Sequence, residues 1–164
     1  MKEIQLTQGQ IALIDDEDFD QLNRFKWCAS YQPHSGYFYA VSRLKRIKNE
    51  PRKSLRMHRI ILKVNDPKIF VDHVNHNTLD NRKENLRICN NNENQFNAKM
   101  SISNTSGYKG VHWHKHRKMF ITHIQYYGKL IHLGYYDNPK EAAKAYNKAA
   151  LKYHGKFAYI NQLN

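Results

Sequence analysis

Hydrophobic and polar positions change rhythm several times along the chain. IQLTQGQIALI is strand-like on both sides of a turn at Gly9, and EDFDQLNRFKW predicts a short helix. GYFYAVSRLKR then alternates aromatic or aliphatic residues with polar ones, as a half-buried strand does. Residues 1–56 are thus expected to be mainly β structure, and residues 57–99 a second stretch with a short apolar strand at Ile69–Val71. SISNTSG (Ser101–Gly107) is polar apart from Ile102 and reads as a linker. From Tyr108 the rhythm restarts, and YKGVHWH, MFITHIQY and KLIHLG predict three short strands, the last two joined by a tight turn at Gly128. A helix is predicted from Pro139 to about His154. Asn138 would cap it, Pro139 suits its first position, Glu141 completes a capping-box-like arrangement, and Gly155 stops it. Ala142, Tyr146, Ala149 and Tyr153 share one face of that helix. The fold class is α+β, ending in a small three-stranded antiparallel sheet packed on one helix.

Composition narrows the picture. The 164 residues, 40% hydrophobic and 25% charged, suit a folded chain of one medium domain or two small ones. No apolar run approaches the roughly 20 residues of a membrane span, and MKEIQLTQGQ lacks the features of a signal peptide, so a cytoplasmic location is expected. Cys28 and Cys89 stand alone, which excludes a zinc site built on cysteine and points to reduced, small buried residues.

Charge changes the picture more. Six of the 14 acids (Glu3, Asp15, Asp16, Glu17, Asp18 and Asp20) and only one of the 27 Lys and Arg residues, Lys2, stand in the first twenty positions. The remainder carries 26 bases against 8 acids. So basic a body suits a polyanionic partner. A membrane would need a basic amphipathic helix with bulky anchors, and none is found, so the partner is nucleic acid. The basic tract Arg43–Arg59, interleaved with Leu44, Ile47, Leu55 and Met57, reads equally as a solvated strand pair or as a surface that tracks phosphates.

The chemistry concentrates in VDHVNHNTLDNRKENLRICNNNENQFNAK, residues 71–99. Asp72 and His73 are adjacent at a strand end, so their side chains diverge and can serve different atoms. An oxygen ligand from Asp72 and an amide oxygen from a later Asn would suffice for a hard ion such as Mg²⁺, which keeps waters and substrate phosphate oxygens. A neutral His73 could take a proton from attacking water. The alternative is a loop whose Asn and Asp residues only make turns.

Order and spacing favour the first reading. The segment closely resembles the HNH (ββα-metal) nuclease motif, in the form found in phage and bacterial homing endonucleases. MHRIIL (Met57–Leu62) is similar to the segment that precedes the motif there, and VDHVN, LDNRKENLR and NNNENQFN come in order after it, with Asn94 nine residues beyond Asn85. The resemblance implies that His73 is the general base and Asp72 a metal ligand. It makes Asn94 the second ligand and has Asn85 fix the loop that orients His73. The amide at Asn94, in place of a second His, favours Mg²⁺ or Mn²⁺ over zinc. His58 either contacts phosphate or anchors a helix against the active-site strands, with Arg59 beside it as a DNA contact. His76 is expected to face solvent, and His34 to lie in a turn without chemistry.

Ser106–Asn161 resembles an AP2 (ERF-type) DNA-binding domain, through YKGV, FITHI, HLGYYDNPKEAAKAYNKAALKYHG and FAYIN. The resemblance implies a three-stranded sheet entering the major groove of double-stranded DNA with the helix behind it. The contacts would be Lys109, which fits a basic position at the start of the first strand, with His112, His114, Gln125 and His132; these four and Leu130 differ from the plant proteins, which use several arginines and tryptophans on that face. Strand parity alone puts Val111, Phe120, Ile124, Ile131 and Leu133 on the helix side, and His112, His114, His123, Gln125 and His132 on the other. The expected organisation is a β-rich region (1–56) leading into a ββα-metal motif (57–99), together an endonuclease domain of residues 1–100. A linker (101–107) and an AP2-like domain (108–164) complete the chain. The expected function is a site-selective DNA endonuclease. The alternative is a non-catalytic DNA-binding regulator with a vestigial motif.

Overall fold

Side-chain alternation decides which face of each strand is buried, and the first hairpin shows it. β1 (Lys2–Gln5) pairs antiparallel with β2 (Ile11–Ile14), turning Ile4, Ala12 and Ile14 inward. The connection passes through Gln8 and Gly9, both at positive φ. In the computed structural model, residues 1–33, 36–45, 52–101 and 103–163 are described. His34, Ile47 with the centre of the basic tract, and Ile102 fall outside them.

Behind the hairpin the chain is helical only from Asp16 to Leu22, a 3-10 turn running into α1 (Phe19–Leu22). This is shorter than EDFDQLNRFKW predicts, because the Trp27 indole folds back and donates to the Leu22 carbonyl at 2.8 Å. A strand that the pattern does not single out, β3 (Cys28–Gln32), pairs with β4 (Tyr37–Arg43), and β4 with β5 (Ser54–Arg56), all antiparallel. The MHRII segment is a short helix, α2 (Met57–Ile61). Its Met57 and Ile61 join Ile4, Ala12, Ile14, Leu22, Trp27, Ala40 and Leu86 in one core. Each large side chain buried there stabilises by about 1.5–3 kcal/mol. β6 (Phe70–His73) and β7 (Leu86–Cys89) then pair antiparallel, with Asp72 opposite Arg87 and His73 opposite Leu86, and α3 (Asn91–Asn97) comes next.

The chain divides into two compact units, Met1–Asn90 and Asn91–Asn164, so α3 groups with the second. There β8 (Val111–His114), β9 (Met119–Tyr126) and β10 (Lys129–Tyr136) form an antiparallel sheet with β9 in the centre, and a bulge lies between His132 and Gly134. The sheet packs on α4 (Pro139–His154). Ile124, Ile131 and Leu133 meet Tyr146, Ala149 and Ala150, while Val111 and Phe120 meet Ala142 and Ala143. Asn138 caps α4 by accepting from the Lys140 N–H at 2.7 Å. Glu141 does not complete the capping box and pairs with Lys144 instead. The polar segment before the sheet is tied closely to the entry of β8: the Asn104 amide and the Ser106 hydroxyl each donate to the carbonyls of Tyr108 and Val111. The architecture is mixed α+β, with several small antiparallel sheets. No helix among the described residues is long and apolar enough to cross a membrane.

Candidate active site and nucleic-acid face

β6 carries Asp72 and His73 at its end, both buried. Successive strand residues face opposite sides, and the two side chains have different surroundings. The Asp72 carboxylate accepts from Arg87 Nε and Nη2 at 2.8 and 2.6 Å. His73 sits among rings, 5.2 Å from His58 and 6.2 Å from Tyr39, centre to centre, all edge to face. Burial pushes the His73 imidazole below its ordinary pKa, against the opposing pull of Asn81 and Asp72. Burial, and then the neighbouring His73, push His58 down to about 3. Both rings are therefore neutral near pH 7, which leaves His73 able to accept a proton.

Asn81 is fully buried beside this imidazole, its Oδ1 3.5 Å from His73 Nε2. Its Nδ2 donates to the Leu79 carbonyl at 3.1 Å, which fixes which end of the amide faces the ring. A carbonyl oxygen can only accept, so a hydrogen bond across this contact is one that the imidazole donates.

The loop behind the imidazole is pinned by other amides. Asn85, just before β7, accepts from the Asn75 N–H at 2.9 Å and donates to the Asp80 carbonyl at 2.7 Å, while its own carbonyl accepts from Val74 N–H. Asp80 receives Arg82 through two nitrogens, each at 2.8 Å, which holds its carboxyl below the usual carboxylate range. Leu13 N–H donates to the Leu79 carbonyl, and Asn81 N–H to the Leu13 carbonyl, so the loop is laced to β2. The N-terminal acids have work here too. Asp15 accepts from Lys83 N–H, and Glu17 and Asp18 pair with the Lys83 ammonium. Arg59, expected as a DNA contact, spends its guanidinium on the carbonyls of Ile69 and Asp66 at 2.7 and 2.6 Å and so braces the segment before β6.

In the second unit, the pairing register puts His112, His114, His123, Gln125 and His132 on the sheet face away from α4, as parity predicts. His123 and His132 are directly opposite, with ring centres 5.2 Å apart. Burial, aided by His132 and His112, lowers the His123 pKa. Tyr135 extends the row, 4.9 Å from His132 and 5.6 Å from His114, under the Arg117 guanidinium. Lys109 lines a cavity of about 220 Å³ together with His112, His123 and Gln125. Its ammonium donates to the carbonyls of Gln95, Phe96 and Ala98 at the end of α3.

Comparison with known proteins adds the family. Over 89 residues the chain is 35% identical to Protein 3.8 of Escherichia phage T7, a match covering 54% of this chain and 73% of that protein. Over 162 residues it is 25% identical to the uncharacterized HNH endonuclease L560 of Acanthamoeba polyphaga mimivirus, covering 96% of this chain and 78% of that one. The chain belongs to the family of phage protein 3.8 and is a homologue of an HNH endonuclease. A stretch of 59 residues is 39% identical to APETALA2-like protein 2 of rice and to the AP2-like ethylene-responsive transcription factor TOE2 of Arabidopsis thaliana. It spans only 14% and 12% of those proteins. No family model and no solved structure matches.

Membership among HNH homologues implies a divalent metal in general terms, and the donors of this chain can be tested against it. Among the described residues no three His, Cys, Asp or Glu side chains gather into a metal-binding group. That does not fit a closed zinc site. It fits a hydrated hard ion, which needs one or two protein oxygens and takes the rest from water and phosphate. Asp72 on β6 carries a carboxylate that would serve such an ion, and Asn94 lies on α3. Tyr39, Asn81 and Arg87 join this region without being singled out by the sequence pattern. Tyr39 comes from a strand more than thirty residues away, which no local pattern reveals. Arg87 is legible in principle, since strand pairing puts it opposite Asp72.

Proposed function

We propose that this chain hydrolyses DNA phosphodiester bonds at selected sites, with His73 as general base and one divalent ion, Mg²⁺ or Mn²⁺, held by Asp72 and Asn94. The observation that carries the reading is the His73 imidazole, neutral, buried and oriented by Asn81, next in sequence to a buried carboxylate. His73 takes the proton of the attacking water on its imidazole, with Asn81 beside the ring. Asn85 keeps the loop, and with it Asn81, in place. The ion, when bound, stabilises charge on the phosphate and the leaving oxygen. A groove of about 850 Å³ beside His58, lined by Arg56, Lys63, Leu55 and Phe70, supports passage of a DNA strand. The nuclease function is assigned to residues 1–100 and groove reading to 108–164, with His112, His114, Gln125 and His132 as base or phosphate contacts.

The Arg87–Asp72 pair favours a second reading, a DNA-binding regulator with a vestigial motif, because the carboxylate already has a cation. Incubation with supercoiled plasmid separates the two. A nuclease nicks or linearises it with Mg²⁺ and not with EDTA, and Asp72→Ala raises the Mg²⁺ concentration required. Unchanged plasmid under all conditions supports the regulator.

A further inference from the structure

α3 is two turns of NNENQFN, too short and too poor in strong helix formers to persist alone. Its hold comes from elsewhere in its own unit. The Lys109 ammonium donates to Gln95 O at 3.2 Å, Phe96 O at 2.8 Å and Ala98 O at 2.5 Å, so three carbonyls of the last turn meet its three donors. A cation there also suits the negative end of the helix. Phe96 lies flat on His154, with ring centres 3.8 Å apart and 4° between planes.

The lysine is itself set by the fold. Its N–H donates to Asn161 Oδ1 at 2.7 Å, and its carbonyl accepts from Asn161 Nδ2 at 3.1 Å. Gly110 is next, at φ 77°, where a Cβ would come within 2.2 Å of the Tyr146 ring. Burial pushes the ammonium down to about 8, as befits a lysine turned from solvent.

We propose that Lys109 is a positioning residue of the nuclease: by closing over the carbonyl end of α3 it fixes the setting of Asn94. This rests on the reading of Asn94 as metal ligand. It gives the C-terminal sequence a part in metal binding as well as in DNA reading, and removes Lys109 from the groove contacts.

The test uses the full chain with Lys109→Met, which keeps the stem and removes the charge, alongside Asn94→Ala. Three quantities are read: amide exchange of α3, the Mg²⁺ concentration for half-maximal cleavage, and DNA affinity in EDTA at several salt concentrations. Lys109→Met should speed exchange in α3 and raise the Mg²⁺ requirement roughly tenfold, the scale of a lost partner behind a metal ligand. Affinity in EDTA and its salt slope should stay unchanged. Weaker affinity with a salt slope reduced by about one, and α3 still protected, would make Lys109 a phosphate contact and overturn the proposal. Faster exchange with an unchanged Mg²⁺ requirement also overturns it, provided Asn94→Ala raises that requirement. If Asn94→Ala leaves it unchanged, the metal reading itself has failed, and the proposal with it. Should Lys109→Met not fold, the wild-type ammonium decides: slow hydrogen exchange at Lys109 Nζ by nitrogen-15 NMR supports the contact, and exchange at the rate of surface lysines refutes it.

Discussion

In the first unit, the residues of chemical interest are held by other polar side chains. Asn81, Asn85, Asp80 and Thr78 are all buried behind His73 and bond the loop to itself, to β2 and to β4. In the second unit, the imidazole row stands on a sheet whose reverse is alanine, aliphatic and aromatic packing against α4. Buried amides are directional and costly to leave unpaired, so they define one geometry. Apolar packing fixes a face yet leaves the opposite side open to substitution. The contrast suits a reaction centre in one case and an adaptable binding surface in the other.

The largest expected effect falls on the reaction centre. His73→Ala should lower cleavage by at least ~100-fold while DNA affinity, measured in EDTA, stays within about twofold, because phosphate contacts carry most of it. Cleavage by the purified variant near the wild-type rate would remove His73 from its role.

Next is the apolar unit, tested at its tightest point. Gly110→Ala drives a methyl group into Tyr146 and the His123 carbonyl from a positive φ. It should destabilise the fold by about 3 kcal/mol or more, the upper range for overpacking, read by denaturant titration. A loss below about 1 kcal/mol, under the usual overpacking range, would mean that this packing yields easily, contrary to the comparison.

Asn85→Ala sharpens the other half. It strands the Asn75 N–H and the Asp80 carbonyl, and should cost about 1–3 kcal/mol. Cleavage should fall by more than the stability loss explains under conditions where the variant is fully folded. Equal stability in wild type and variant would show that these bonds do not hold the loop.

The smallest effects are those of pH. His58 has its folded-state pKa depressed to about 3 by burial. A depressed value favours the folded state above the unfolded pKa near ~6.5, so stability should decline as pH falls below that, with protons taken up on unfolding. On the sheet face, His123 also starts low, but a DNA phosphate favours its charged form. Affinity should therefore rise a few-fold as pH falls from about 7.5 to 6, with a steeper salt dependence. A flat affinity profile would leave the imidazoles without a part in binding.

Much of the fold is legible in the sequence. The hairpin at Gly9, the Asp-His strand end, three C-terminal strands and the capped helix all come from period, turn residues and spacing, because each is decided by neighbours within a few positions. The features that escape depend on distance. Arg59 and Lys109 look like free cations in sequence, and only the fold supplies the carbonyls that occupy them. Tyr39 and Asn81 approach His73 from separate parts of the first unit.

The bulge between His132 and Gly134 governs how β10 tolerates change. Strict alternation from His132 would send Tyr136 outward and Tyr135 inward, yet Tyr135 lies beside His132 and His114 while Tyr136 packs with Val111 and Phe120. One extra residue thus exchanges the two tyrosines between faces. Deleting Leu133 or Gly134 should remove the bulge and keep both tyrosines on their present faces, because His132, one residue, Tyr135 and Tyr136 then alternate strictly. Substitutions in this strand would then act one side chain at a time and a deletion at the bulge would be absorbed there, whereas a residue inserted beyond the bulge would rewrite both faces past it at once.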